Sequence, residues 1–404
     1  MNKFVFVVCG GREHIDKLNF SLRYIRHFSS YPILVVTDSK RNEIKIEHDN
    51  IIDVNTPLEF DHHQASIYMK TGLYKFLPWE DDEKYCYLDS DIVAISTEIN
   101  HVFDYFISPI LFAKDHCPFN EFSPHAMKCN CLADVSRRNK EYESVDLFFQ
   151  QKIFLLCYNE EDRSALENRF SDMRKLKIRS IITGLQYLVN RYILPLKQFK
   201  FGQFYFDKKN KFWYNQKNEI IDFDFRHYAK ILRKNTGIRF DYKNNRWLNK
   251  NGENITPQTP HCEHLSEYIK DRFQISIPAE WRHWNGGVFI FDKNSIDFMD
   301  FWHKTTLNEF NNTITKTRDQ GTLAVSVWKN NLQNNPTLPK QFNFIAEFRN
   351  QNIQYDTDKG FTDDNFQTSA NPFFLHIFHE WGHTGWSIWD YVIQLGNKIN
   401  NENK

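Results

Sequence analysis

No stretch constrains this chain more than Tyr85-Cys86-Tyr87-Leu88-Asp89-Ser90-Asp91-Ile92-Val93. An apolar run ends in two carboxylates one residue apart and apolar residues resume at once, which is the pattern of a buried strand stopping at a polar edge. Two acids this close repel each other and are costly to bury, so they need a cation or hydrogen-bond donors to hold them. A divalent metal meets that need. Oxygen ligands suit Mg²⁺ or Mn²⁺, and such ions keep positions open for substrate phosphates. The expectation is a metal site for a phosphorylated ligand; the bland alternative is that Asp89 and Asp91 merely cap a turn.

The preceding residues decide what kind of sheet that strand joins. Phe4-Val5-Phe6-Val7-Val8-Cys9 reads as a buried strand that breaks at Gly10-Gly11. Between Glu13 and Phe28, Ile15, Leu18, Leu22 and Ile25 recur at helical spacing; Tyr31 to Val36 predicts a second strand and Ile51 to Val54 a short third. Asp61 to Leu77 predicts a helix with Ala65, Met69, Leu73, Phe76 and Leu77 turned inward, closed by Pro78. Strands and helices therefore alternate as in an α/β sheet domain. In open sheets of this kind ligands sit at the carboxyl ends of strands, where Asp89 and Asp91 fall.

From about residue 121 to 278 the alternation is lost, which predicts a large α+β insertion between a first half at 1–120 and a second at 279–404. Position and size make it the expected place for acceptor or partner recognition. Arg174 to Lys200 carries seven cations and no acid, with Ile178, Ile181, Ile182, Leu185, Leu188 and Val189 threaded through at helical spacing. Such a helix either makes a peripheral membrane contact or packs with a solvated basic edge. Lys200–Phe206 and Lys211–Tyr214 read as a hairpin, with a second between Arg239 and Trp247. Two sets of soft ligands stand near the insertion's ends: His116, Cys117, His125, Cys129 and Cys131 in one, His261, Cys262 and His264 in the other. Either offers zinc ligands, but neither has a paired C-x-x-C spacing, and packed thiols are the commoner outcome.

Composition excludes some classes. Lysine plus arginine equals aspartate plus glutamate at 51 each, so no global field draws in nucleic acid, and no nucleic-acid partner is expected. Seven scattered cysteines argue against a disulfide scaffold and for a reducing, cytoplasmic setting. No apolar run reaches membrane-spanning length.

Order returns at Trp281 to Phe291, where Asn285-Gly286-Gly287 precedes Val288: adjacent glycines admit a ligand against the backbone or mark a β-bulge. Asp319-Gln320 opens a helix, with a plain N-terminal cap as the bland role of Asp319. Phe373 to Phe378 predicts a strand, and His379 just past its end can supply a nitrogen to the cation of the two aspartates.

Taken in order, Lys70, Leu88-Asp89-Ser90-Asp91, Asn285-Gly286-Gly287-Val288, Asp319-Gln320 and His379-Glu380-Trp381-Gly382 resemble the landmarks of the retaining glycosyltransferases with a GT-A fold, especially family 8, which includes the glycogenins and bacterial sugar transferases. The resemblance covers residues 1–115 and 280–390 and not the insertion. It implies a Rossmann-like mixed sheet and Mn²⁺ (or Mg²⁺) held by Asp89, Asp91 and His379, with Lys70 adding positive charge. By the same resemblance Cys9, Gly10, Gly11 and Ser90 bind the nucleotide part of the donor, and Asn285, Gly286 and Gly287 lie against its sugar. Asp319 and Gln320 would sit at the anomeric carbon or bind sugar hydroxyls, and Gly382 near the donor phosphates. Where the family continues with Lys-Pro-Trp, this chain reads His383-Thr384-Gly385-Trp386, which leaves the phosphate contact to another residue such as His383. The implied reaction is hexosyl transfer from a UDP-sugar, with retention, to a glycan, lipid-linked or protein acceptor. Two rivals stand beside it. Asp89 to Val93 also fits the D-x-D-x-[TV] strand of haloacid dehalogenase-like phosphatases, though no later Gly-Asp-x-x-x-Asp follows. The other rival is a non-catalytic scaffold binding a sugar or a partner.

Overall fold

Phe4 and Phe6 pack to one side of the first strand, β1 (Lys3–Val7), and Val5 and Val7 to the other; all four are buried. A strand buried on both faces belongs inside a sheet covered by helices. The computed structural model describes residues 1–402 apart from 158–159, 174–177, 317–318, 347–352, 364–367 and 378–380. It is a mixed α/β protein, with β1 beside β2 (Ile33–Thr37), β3 (Ile51–Asp53) and β4 (Tyr85–Leu88) in one six-stranded sheet. The order is β3, β2, β1, β4, then the strand Arg282–Phe291, then β6 (Ile110–Pro118). The first four are parallel, and Arg282–Phe291 runs antiparallel to both its neighbours. β5 (Ile92–Ala94) leaves this sheet and pairs with Phe374–His376 in a smaller one that also holds Phe344–Ile345.

Helices close both faces. On one, α1 (Arg12–Phe28) buries Ile15, Leu18, Leu22 and Ile25 beside Trp389 and Val392 of the helix Ser387–Glu402. On the other, α2 (His62–Thr71) and the helices Ile296–Glu309 and Asp319–Lys329 bury Met69, Met299, Trp302 and Leu323. Each such side chain contributes roughly 1.5–3 kcal/mol on burial. The helix expected to run to Leu77 stops at Thr71 and continues as a single tight turn over Leu73–Lys75. Gly72 sits at the stop, and a Cβ there would lie 3.0 Å from the His303 ring and 2.7 Å from Tyr68 O, so the close approach of helix Ile296–Glu309 requires glycine.

The chain divides into two compact units, residues 1–130 with 261–404, and 131–260. The second is shorter than the expected 121–278 because α3 (Phe119–Ala126) and the helix His264–Phe273 share a core with Ala324 and Val325 of the first unit. Within the second unit, helices over Cys131–Ile153, Glu160–Met173 and Ile178–Leu188 precede a four-stranded antiparallel sheet. The expected hairpin gains a turn at Gly202, whose φ of +69° suits glycine, so Gln198–Phe201 and Phe204–Asp207 are separate strands. The basic segment is likewise not one helix. Residues 174–177 lie outside the described residues, Ile178–Leu188 is helical, and the chain passes Pro195 into a strand. Ile181, Ile182, Leu185 and Leu188 are 49–57% exposed, so the apolar face of that helix is not packed away. Among the described residues no helix is long and apolar enough to cross a membrane.

Candidate active site

β4 ends at Leu88, and Asp89-Ser90-Asp91 turns the chain into β5, with Ile92 N–H donating to Asp89 O at 3.1 Å. Asp89 N–H donates in turn to Gly287 O at 2.9 Å. The pairing of β5 sets His376 opposite Ile92, and Ile377 N–H reaches Asp91 O at 3.1 Å. Strand register therefore brings the His376 ring to the two aspartates. Its Nε2 is 3.5 Å from Asp91 Oδ1, and ligand atoms of Asp89, Asp91 and His376 all fall within 4.8 Å of one another.

A chain of amides fixes how that ring faces. Asp115 is buried; its carboxyl is held well below the usual range despite burial, by His283 and then His116 and Asn285. As an ionised carboxylate it only accepts, so Asn285 Nδ2 donates to it at 2.9 Å. That leaves Asn285 Oδ1 to accept from Gly287 N–H at 2.8 Å and Asn343 Nδ2 at 3.0 Å. Asn343 must then accept from His376 Nδ1–H through Oδ1, at 2.9 Å. Nε2 is consequently the ring nitrogen that faces Asp91. Hydrogen bonding at one ring nitrogen is how metal-binding histidines are set.

Asp91 Oδ1 is buried with no hydrogen-bond partner among the described residues, facing His376 Nε2. Burial pushes the Asp91 carboxyl up, with His376 opposing and the Asp89 charge adding to the rise. A proton on Nε2 or a metal ion between the two groups would satisfy that Asp91 oxygen. Two carboxylate oxygens and an imidazole nitrogen suit Mn²⁺ or Mg²⁺. The donor set fits the expected metal, with His376 as the nitrogen.

A fixed positive charge stands alongside. Lys70, on the last turn of α2, is buried, and its Nζ lies 3.2 Å from Asp89 Oδ1 and 3.2 Å from Asp319 Oδ2. Burial works to lower its pKa, but Asp89 and Asp319 hold it above the ordinary value. Asp319, first residue of its helix, is held low by Lys70 against the opposing effect of burial. The Tyr87 hydroxyl donates to Asp89 Oδ1 as well.

Arg282–Phe291 swells at its middle. Asn285 pairs with Ala113 and Phe289 with Phe112, so Gly286, Gly287 and Val288 bulge from the ladder with β6, while Val288 stays paired with Leu88 of β4. A Cβ on Gly287 would stand 2.5 Å from His376 Cε1, and one on Gly286 would be 3.2 Å from Gln320 Oε1 and 3.4 Å from Lys70 Nζ. Gln320 holds the bulge by accepting from Gly286 N–H at 3.1 Å and donating to Trp284 O.

Cys9, Lys70, Asp89, Ser90, Asp91 and Asp319 line a single cleft of about 340 Å³. Gly10, with φ +99°, and Gly11 make the turn from Cys9 into α1. Gly382 and His383 sit in an exposed turn. His379, the nitrogen ligand expected from the sequence, lies outside the described residues. His376, Asn343 and Asp115 were not singled out by sequence: the first hides inside an apolar strand, and single polar residues elsewhere carry no spacing signal.

No family model and no curated protein matches the sequence. Among solved structures, the galactosyltransferase LgtC bound to donor and acceptor sugar analogs aligns over 98% of this chain and 95% of its own, at 11% identity and a TM-score of 0.42. Mouse xyloside xylosyltransferase 1 covers 93% and 97% at 8% identity and a TM-score of 0.36. The glycosyltransferase GlyE of Streptococcus pneumoniae TIGR4 covers 28% of each chain at 16% identity and a TM-score of 0.20. Superpositions this loose leave the reaction to the residues themselves.

Proposed function

We propose that this protein is a metal-dependent glycosyltransferase that moves a hexose from a nucleoside diphosphate sugar, a UDP-sugar by the family resemblance, to a glycan, lipid-linked or protein acceptor. The convergence of Asp89, Asp91, His376 and Lys70 at one end of the central sheet carries this reading. Breaking the bond from the anomeric carbon to phosphate builds negative charge on the departing diphosphate. A divalent ion between the aspartates and His376 would supply Lewis-acid stabilisation of that charge. Lys70 adds a fixed positive charge in a site where burial strengthens it. Asp89 and Asp319 keep Lys70 protonated and in place. The bulged Gly286-Gly287 backbone offers a close surface for the donor sugar, with Gln320 setting its position, and Asp319 at the cleft wall is the carboxylate for the anomeric carbon or a sugar hydroxyl. Cys9, Gly10, Gly11 and Ser90 are the proposed nucleotide side, and Gly382 and His383 the proposed phosphate contact. Retention of configuration rests on the family resemblance. His379 is kept as the competing third ligand. A peripheral membrane contact through 174–200 draws support from the exposed apolar face over Ile181, Ile182, Leu185 and Leu188.

The test is release of sugar from a panel of UDP-sugars without acceptor, with and without Mn²⁺. Hydrolysis that needs metal and disappears in Asp91→Ala supports the transferase. Cleavage of a simple phosphomonoester with no action on nucleotide sugars contradicts it. Loss in His379→Ala with His376→Ala unaffected would reassign the nitrogen ligand.

A further inference from the structure

The two separate sets of soft ligands expected near the insertion turn out to contribute to one cluster. Ligand atoms of Cys129, Cys131, Cys262 and His264 all lie within 4.8 Å of one another. From this we infer that the protein carries a structural zinc ion, bound by three thiolates and one imidazole, where the chain leaves the first unit and where it returns. The site is independent of the proposed sugar transfer and shares no residue with the cleft.

Chemistry selects the metal. Three sulfurs and one nitrogen are soft ligands, and Cys₃His is a closed tetrahedral set typical of structural zinc. With Zn–S bonds of about 2.3 Å, sulfurs around a tetrahedral ion stand roughly 3.8 Å apart, so a group already inside 4.8 Å closes on the ion with small side-chain movement. All seven cysteines of the chain are thiols, so no disulfide competes for these three.

The framework around the cluster is built. Cys262 N–H donates to Asn120 O at 2.9 Å, and the Cys262 sulfur lies 3.1 Å from Ser123 Oγ. Ser123 Oγ also accepts from Leu265 N–H at 3.0 Å, which fixes the start of the helix that carries His264. Lys128 N–H donates to Ile314 O at 2.8 Å, and Met127 bridges Thr315, so the segment before Cys129 is held too. Cys131 is tied to Cys129 by a single intervening residue. Metal bonds at these positions would clamp two points 133 residues apart in the chain, counting from Cys129 to Cys262, and closing a long loop removes entropy from the unfolded chain.

The experiment is metal analysis by mass spectrometry on the full chain purified without a histidine tag, together with cobalt substitution. One zinc per chain is expected in wild type, in Asp91→Ala and in Cys157→Ser, whose thiol is exposed and outside the cluster. Cys129→Ser combined with Cys262→Ser should lose it. Should that double variant fail to fold, the wild type decides: Co²⁺ in place of zinc should give thiolate-to-cobalt charge-transfer bands and the intense visible bands of a tetrahedral site. Wild type that purifies without zinc and takes up neither Zn²⁺ nor Co²⁺ overturns the inference. So does zinc that Asp91→Ala loses and the double cysteine variant keeps, or a cobalt spectrum with no thiolate bands.

Discussion

His376 Nδ1 and Asn343 Oδ1 are hydrogen-bonded at 2.9 Å, and because Asn343 Nδ2 is already given to Asn285, that bond fixes which nitrogen of His376 faces Asp91. Removing the acceptor should loosen the ring without touching a ligand. Asn343→Ala should weaken Mn²⁺ binding about 10–100-fold, as read by calorimetric titration, with the protein still folded. Unchanged affinity would mean that the amide chain does not orient the ring.

Gly287→Ala tests the bulge. The added methyl would meet the His376 ring at 2.5 Å and Asn285 Oδ1 at 2.8 Å, so the ring or the strand must move. Overpacking of this kind costs about 1–3 kcal/mol. We expect a stable protein with a lowered melting temperature and at least tenfold weaker Mn²⁺ binding. Gly286→Ala, whose nearest neighbour is 3.2 Å away on the Gln320 side chain, should be milder.

Lys70→Met leaves Asp89 and Asp319 facing each other without their shared cation. Breaking a buried pair from one side costs roughly 3 kcal/mol, measurable by urea unfolding at pH 7. Asp319 has a lowered folded pKa because of Lys70, so its contribution to wild-type stability is present above the unfolded carboxyl pKa and lost as pH falls through the folded one. The gap between wild type and variant should therefore narrow in acid. A gap independent of pH would show that the pairing does not operate.

His303 gives a second pH signature. Its Nδ1–H donates to Thr71 Oγ1, which itself donates to Ile67 O, and Nε2 is buried with no hydrogen-bond partner among the described residues. Burial, aided by Lys75, lowers its pKa from 6.5 to about 4. The unfolded chain takes up this proton first as pH drops, so stability falls between about pH 6.5 and 4, by roughly 3 kcal/mol from this residue. Urea unfolding of His303→Gln should lack that part of the acid loss; parallel pH profiles would contradict it.

The central strands and their helices were legible because Phe4–Cys9, Tyr31–Val36 and Ile15 to Ile25 carry strong periodicity, and Asp89 and Asp91 stand out as charge at the end of an apolar run. His376 did not, since within Phe373–Phe378 it looks like one polar residue on a strand; only the pairing of that strand with β5 gives it meaning. Asn343 and Asp115 act through geometry alone. The Cys129, Cys131, Cys262 and His264 group was visible as two halves, but no local spacing says that positions 133 residues apart meet. In the Arg174–Lys200 segment the helical period of the apolar residues competes with a local breaker, Pro195, after which the chain forms a strand.

The most direct measurement of the proposed donor site is thermal unfolding of wild type, Asp91→Ala and His376→Ala with UDP, with Mn²⁺ and with both. A ligand that binds only the folded state raises its melting temperature, by an amount set by RT ln(1 + [L]/Kd). The site predicts that UDP stabilises wild type only when Mn²⁺ is present and that both variants lose the response. Stabilisation of all three proteins by UDP without metal, or of none of them under any condition, would contradict a metal-held diphosphate at Asp89, Asp91 and His376.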